Sequence, residues 1–259
     1  MFDPASGCLD VEAERIPVCV VIPNFGYGHF LKSCIESIVR QTHPVLDIAI
    51  YDDGSRDGSA AIASDLLSKH RSRFRHASVT YDPRNNGKLY ALNRIMASVD
   101  APLVSIVDAD DMLMPEFFSR TVAAIASAKR ENPAVSFCYT DCTLIDEAGQ
   151  QICRGSSHEF DAAALNTISY IPDCAPVLTS AVQHILPFDT SIRTGTKHHK
   201  WIRLVEMGCA GTYIPEPLFY YRMHSANLSG IGERIKTDMR SGARQERILS
   251  KYWGLQSQT

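Results

Sequence analysis

Pro102-Leu103-Val104-Ser105-Ile106-Val107 is an apolar run that closes on Asp108-Ala109-Asp110-Asp111, and this stretch decides how the chain is read. A short, continuous apolar run bounded by polar residues is the pattern of a strand buried on both faces of a parallel sheet. The carboxylates crowded where it emerges repel one another unless a cation lies between them, so the cluster reads first as a divalent-metal site. Magnesium or manganese held in this way is most useful where it also grips the phosphates of a substrate. Extended geometry turns Asp108 and Asp110 to one side and Asp111 toward the other. Taken alone, the tetrad reads equally well as a solvated acidic loop.

Upstream, the same strand, loop and helix unit recurs. Residues 18–22 form a continuous apolar run, followed by Pro23 and the turn Asn24-Phe25-Gly26-Tyr27-Gly28. A helical pattern then places Phe30, Leu31, Cys34, Ile35, Ile38 and Val39 on one face. Strands are expected at 46–51, 77–81, 103–107 and 135–139, and helices at 59–67, 88–97 and 116–128. This alternation predicts an α/β fold: one domain with a mostly parallel, Rossmann-like central sheet and helices on both faces. Such sheets bind ligands beyond the carboxyl ends of their strands, so the loops after 22, 51 and 107 should converge.

Past residue 150 the rhythm loosens. A helix is expected at 160–168, irregular chain at 172–179, a helix at 200–207 with Gly208 as its C-cap, a strand at 212–214 and a helix at 233–252. The domain therefore divides into an extension (1–15), a first half (16–150) and a C-terminal half (151–259) without an intervening linker.

Bulk properties exclude several classes. The 259 residues are 45% hydrophobic and 21% charged, an ordinary globular composition. A net charge of -3 gives no global attraction to nucleic acid. The eight cysteines lack zinc-like spacing, which favours reduced thiols and a cytoplasmic location, with the inner face of a membrane as a place of work. The first residues have neither the basic front nor the apolar core of a signal peptide, and no stretch has the roughly 18 apolar residues that a membrane span requires.

Two further loops carry chemistry. In Asp52-Asp53-Gly54-Ser55-Arg56-Asp57-Gly58, Asp53 is placed to accept hydrogen bonds from a base or ribose, while Asp57 or Ser59 caps the next helix. Asn86-Gly87-Lys88 opens a helix, where Lys88 and amide donors point the same way and suit a diphosphate. Arg84 is a second candidate for that duty.

Ile22-Pro23-Asn24-Phe25, Asp52-Asp53-Gly54-Ser55, Asn86-Gly87, Ala91-Leu92-Asn93 and Asp108-Ala109-Asp110-Asp111 occur in this order. Together they resemble the family 2 glycosyltransferases of the GT-A fold, over nearly all of the chain. The resemblance implies a metal-dependent inverting enzyme that moves a sugar from a nucleotide-sugar donor, usually a UDP-sugar, to a hydroxyl of a glycan, glycolipid or related acceptor. It assigns Pro23, Phe25 and Asp53 to the nucleoside, Asp108 to the sugar and Asp110 to Mn2+ or Mg2+. Trp201-Ile202-Arg203-Leu204 resembles the family's Trp-Leu-Arg-Leu helix. Arg222-Met223-His224 resembles its Tyr-Arg-x-His element, which gives Arg222 a donor role and His224 a place at the metal or diphosphate.

One departure stands out. The family places Glu-Asp before that tryptophan, with the aspartate as catalytic base, and here those positions hold Thr196 and Lys197. Threonine is not a base, and lysine is protonated near neutral pH. His198 or His199 is the expected substitute, since a reference pKa of about 6.5 suits proton abstraction. Asp189 and Glu206 are weaker candidates. The competing expectation is a nucleotide-sugar-binding protein or partner subunit of this fold that lacks transfer activity. A nucleotidyltransferase is disfavoured because no Gly-rich triphosphate loop lies near the start.

Overall fold

The computed structural model describes residues 12–193, 195–224 and 227. Strands β1 (Val18–Asn24), β2 (Leu46–Asp53), β3 (Ala77–Asp82) and β4 (Leu103–Ile106) alternate with α1 (Gly28–Val39), α2 (Ser59–Lys69) and α3 (Lys88–Met96). These four strands are mutually parallel in the order β3-β2-β1-β4. Helical crossovers make that pairing possible, because a strand must be carried back over the sheet before it can run parallel to its predecessor. The helices expected along this half appear with the expected buried faces: Phe30, Leu31, Cys34, Ile35 and Ile38 on α1, and Leu89, Leu92, Ile95 and Met96 on α3.

The strand order reverses at β1, with β2 and β3 on one side and β4 on the other. Such a switch point leaves a crevice beyond the carboxyl ends of the two diverging strands. The loop after β1 and the acidic tetrad after β4 flank it.

The remainder corrects the expectation of a mostly parallel sheet. It adds β5 (Met112–Leu113), α4 (Phe117–Glu131), β6 (Val135–Ile145), β7 (Gln151–Gly155), β8 (Val177–Leu178), α5 (Thr179–His184), α6 (Thr196–Glu206) and β9 (Ala210–Arg222). The order continues β4-β8-β6-β9-β5, with β7 on β6, and the β4–β8, β6–β8, β6–β7 and β5–β9 pairings are antiparallel. The sheet is therefore mixed. The chain between β6 and β8 offers no long helix to serve as a crossover, so β6 and β7 pair through a tight hairpin at 146–150 and β8 enters antiparallel.

Two other expectations change. The helix expected at 160–168 is only a single 3-10 turn at Ala164–Asn166. Leu165 is its one buried residue, with Phe160, Ala164 and Ile168 packed partly against the core, and the Tyr170 hydroxyl clasps both the amide and the carbonyl of Asp161, so loop hydrogen bonding competes with the longer helix. The short strand expected at 212–214 is part of the long β9, which runs parallel to β6. Its register shifts where Thr140 pairs with Ile214 and Asp141 with Pro217. Pro215 and Pro217 have no N–H to donate, and the ladder accommodates them as an irregularity. The helix expected at 233–252 lies outside the described residues.

α6 begins four residues before the expected start and ends at Glu206; Met207 takes the C-cap position expected of Gly208, which follows it with φ +87° and turns the chain out of the helix. Trp201 and Leu204, both fully buried, fasten it to the core, with the indole 4.8 Å from the Phe137 ring. This packing holds the first turn of α6, and hence Thr196, Lys197 and His198, at the crevice.

Candidate active site

The crevice opens into a cleft of about 540 Å³ lined by the loops after β1, β2 and β4, the start of α3, the 169–174 segment and the first turn of α6. Pro23, Phe25, Asp53, Lys88, Asp108, Asp110 and His198 stand in its wall, so seven of the proposed positions converge from distant stretches of sequence. Phe25 is half-exposed, presenting a ring to whatever enters. Asn24 is buried with Oδ1 unpaired among the described residues, which leaves an acceptor in the same wall.

The loops are braced on one another. Asn24 donates to the Asp52 carboxylate at 2.8 Å, and Asp52 accepts the Ser55 amide at 2.8 Å. Asp57 accepts the Gly28 and Ser59 amides at 2.8 and 3.1 Å, the structural role expected of it. Asp53 accepts the amides of Asn86, at 3.0 and 3.1 Å, and Gly87, at 2.6 Å, so it fixes the entry to α3 while lining the cleft. Gly54 has φ +85°, and a Cβ there would lie 2.9 Å from the Arg84 carbonyl carbon. The β2 loop thus packs backbone to backbone against residues 84–85. Arg84 is outside the described cleft wall.

Asp108, Asp110 and Asp111 bring one carboxylate oxygen each to within 4.8 Å of one another. Burial pushes Asp111 well above the ordinary carboxylate range, and the Asp110 and Asp108 charges add to this against the Arg222 amide. Asp108 is pushed up by its desolvation and by Asp173 and Asp110, with Lys88 opposing. A set of hard oxygen donors under this mutual repulsion fits a divalent cation such as Mg2+ or Mn2+.

His224 lies 2.9 Å through Nε2 from Asp110 Oδ2 and is buried between the Tyr27 and Phe30 rings. It reaches the acidic cluster from behind the cleft. Arg222 braces the same turn: its amide donates to Asp111 at 3.0 Å, and Nε donates to the Asp110 carbonyl at 2.9 Å. Its Nη1 donates to the Asp146 and Glu147 carbonyls at 3.2 and 3.0 Å. Its guanidinium covers the Phe30 ring at 4.7 Å. The described cleft wall contains neither Arg222 nor His224; both instead contact the tetrad that lines it.

A buried charge network missed by sequence reasoning forms the cleft floor. Lys88 Nζ lies 2.5 Å from Asp108 Oδ1 and 2.7 Å from Asp173 Oδ2, and Asp173 Oδ1 lies 2.7 Å from Lys200 Nζ. Burial opposes charge on Asp173, but the two lysines win and hold its carboxyl well below the usual range. Burial likewise disfavours charge on Lys88, and Asp108 and Asp173 more than offset it, keeping the ammonium protonated. Lys200 is lowered by burial against the attraction of Asp173, and its Nζ sits 4.2 Å from the centroid of the Trp201 ring. One signal for Lys200 was present: Thr196, Lys200 and Leu204 recur every four residues and form a single buried stripe. Asp173, an isolated aspartate in an irregular segment, carries no local signal.

His198 Nε2 contacts the Leu165 carbonyl; because a carbonyl only accepts, Nε2 is the donor, which in a neutral imidazole leaves the lone pair on Nδ1. His199 is half-buried, with Nε2 unpaired among the described residues, and stands outside the described wall. Asp189 caps Ser191 in an exposed turn and Glu206 closes the far end of α6, so neither borders the cleft.

A switch-point crevice with an acidic cluster and a charge-balanced lysine is chemically suited to a phosphorylated ligand and a divalent cation. A model of Glycosyl transferase family 2 matches residues 19–185, and the chain belongs to that family. It is a glycosyltransferase. It is 23% identical over 216 residues to TuaG of Bacillus subtilis, a glycosyltransferase assigned to teichuronic acid biosynthesis, across 82% of this chain and 81% of that one. It is 25% identical over 198 residues to the chondroitin synthase of Escherichia coli, across 75% of this chain but 27% of that one. Among solved structures, Staphylococcus aureus TarS 1-349 in complex with UDP has a TM-score of 0.63 at 13% identity, over 91% of this chain and 70% of that one. The mannosyltransferase PcManGT of Pyrobaculum calidifontis, in complex with GDP-Man and Mn2+, also reaches 0.63, at 16% identity, over 85% and 60%. These likenesses are of fold.

Proposed function

We propose that the protein transfers a sugar, with inversion, from a UDP-linked donor to a hydroxyl of a glycan or glycolipid acceptor. The observation that carries this reading is the convergence of Asp53, Lys88, Asp108 and Asp110 on one cleft at the switch point. Pro23 and Phe25 would offer a surface for the nucleoside base, and Asp53, which lines the same wall, is assigned to the ribose. Lys88, held charged, faces the diphosphate. Asp110, with Asp108 and Asp111, would hold Mn2+ or Mg2+, which supplies charge stabilisation to the departing diphosphate when bound. TarS with UDP and PcManGT with Mn2+ share this fold and support the choice of ligands.

On the acceptor side, His198 is the base favoured by geometry, since it lines the cleft and its Nε2 is engaged by the Leu165 carbonyl, which leaves Nδ1 as the nitrogen that would accept a proton. His199 is the second candidate. The seven described cysteines are free thiols, which supports a cytoplasmic site of action, including peripheral work at a membrane. Among the described residues no helix is long and apolar enough to cross a membrane.

The test is UDP-sugar binding and donor hydrolysis measured with and without Mn2+, followed by the pH profile of His198→Ala and His199→Ala. Metal-dependent turnover that loses its basic catalysis in one variant is expected. The Thr196-Lys197 departure from Glu-Asp favours a second reading, a donor-binding subunit without transfer. Donor binding with hydrolysis unchanged in both histidine variants would establish that reading instead.

A further inference from the structure

Beside the main cleft lies a lobe of about 60 Å³ that shares Ser169, Pro172, Lys197, Phe219 and Tyr221 with the cleft wall. None of the donor-side residues Pro23, Asp53, Lys88, Asp108 or Asp110 borders this lobe; its walls come from β6, β7, β9 and the 169–172 segment. It therefore lies on the side of the cleft away from those residues. Lys197 is the one charged residue among those lining it. That ammonium has no ion pair among the described residues, whereas Lys88 and Lys200 are both neutralised by carboxylates. The side-chain hydroxyls of Ser156 and Ser169 make no hydrogen bond to the described residues and complete a small polar surface around it.

The volume limits the guest. At about 60 Å³ against 540 Å³ the lobe is far smaller than the main cleft, so it suits a substituent on a sugar better than a second sugar ring. A cation with spare hydroxyl donors in a space of that size suits a compact oxyanion.

We propose that this lobe is a specificity pocket that receives an anionic substituent, a carboxylate or a phosphate, carried by the acceptor sugar, with Lys197 as its recognition residue. The proposal rests on the transferase reading above. It also gives a physical sense to the replacement of an acidic position by Lys197: an aspartate there would repel such an acceptor.

The test uses the full chain with UDP and Mn2+ and three probes: methyl β-glucuronide, methyl β-glucoside 6-phosphate and neutral methyl β-glucoside. Binding is read by ligand-observed NMR titration. A charge-assisted hydrogen bond predicts a preference of about tenfold or more for an anionic probe over the neutral one. Which of the two anions binds more tightly identifies the substituent. Lys197→Met should abolish the preference, and Lys197→Arg should retain it; circular dichroism confirms that both variants fold. Equal binding of all three probes, or binding of none, overturns the proposal. So does a Lys197→Met variant whose UDP affinity falls as far as its probe affinity, since the lysine would then serve the donor diphosphate. Failure of the wild type to bind UDP at all would instead sink the transferase reading.

Discussion

Asp173→Asn is the sharpest probe of the cleft floor. The substitution keeps the shape of the side chain, removes its charge and turns an amide NH2 toward a lysine. Lys88 retains Asp108 at 2.5 Å, but Lys200, whose side chain is 3% exposed, loses its carboxylate partner and keeps the residue-173 carbonyl at 3.4 Å, the face of the Trp201 ring and at most a neutral amide oxygen. Breaking a buried pair from one side costs about 3–5 kcal/mol, because a charge is left uncompensated. With Lys88 still paired, the lower end applies, about 3 kcal/mol, or roughly 6–12 °C in Tm for a chain of this size. The double variant Asp173→Asn/Lys200→Met removes the stranded charge and should recover most of the loss. Urea denaturation followed by tryptophan fluorescence measures both variants. The pH dependence supplies a second check. An unfolded aspartate titrates near 3.9, while the folded carboxyl lies well below that, so the unfolded chain takes up the proton first. The contribution is therefore full above about pH 5, is lost as pH falls through the folded value, and is absent from the asparagine variant. A loss below about 1 kcal/mol in the single variant, or a double variant less stable than the single one, would refute the reasoning.

Three further outcomes follow from particular contacts. Asp110→Asn, which removes a charge from the carboxylate cluster, should weaken Mn2+ binding by about tenfold or more in calorimetric titration, with an unchanged far-ultraviolet spectrum. Gly54→Ala places a methyl group against the Arg84 backbone at φ +85° and should cost about 1–3 kcal/mol while weakening UDP binding; an unchanged urea midpoint would contradict the close approach. Burial lowers the pKa of His43 against the pull of its hydrogen bond to the Ile16 carbonyl. The unfolded imidazole, near 6.5, therefore protonates first, and stability should fall as pH drops from about 7. Tm compared at pH 7.5 and 5.5 should show this slope in the wild type and a shallower one in His43→Gln.

Local pattern alone determined the first half of the protein. Continuous apolar runs separated by helical periodicity specify β1 to β4 and α1 to α3, because each element's burial is written into its own residues. The loops that close those strands were legible for the same reason: Asp53, Lys88, Asp108 and Asp110 sit at strand ends and a helix start, and parallel topology forces such ends together. The tertiary structure decided what depends on partners distant in sequence. The mixed pairing of β6, β8 and β9 follows from which edges remain open once the parallel half has formed, which is a property of the assembled sheet. Asp173 lies 85 residues from Lys88 and 27 from Lys200, and an isolated aspartate cannot announce two buried lysines. Arg222 also shows the division: its motif marked it as a site residue, yet only packing shows its donors committed to the carbonyls beneath the acidic turn. Charge in the sequence locates the chemistry; desolvation, which exists only after folding, determines what each charge does there.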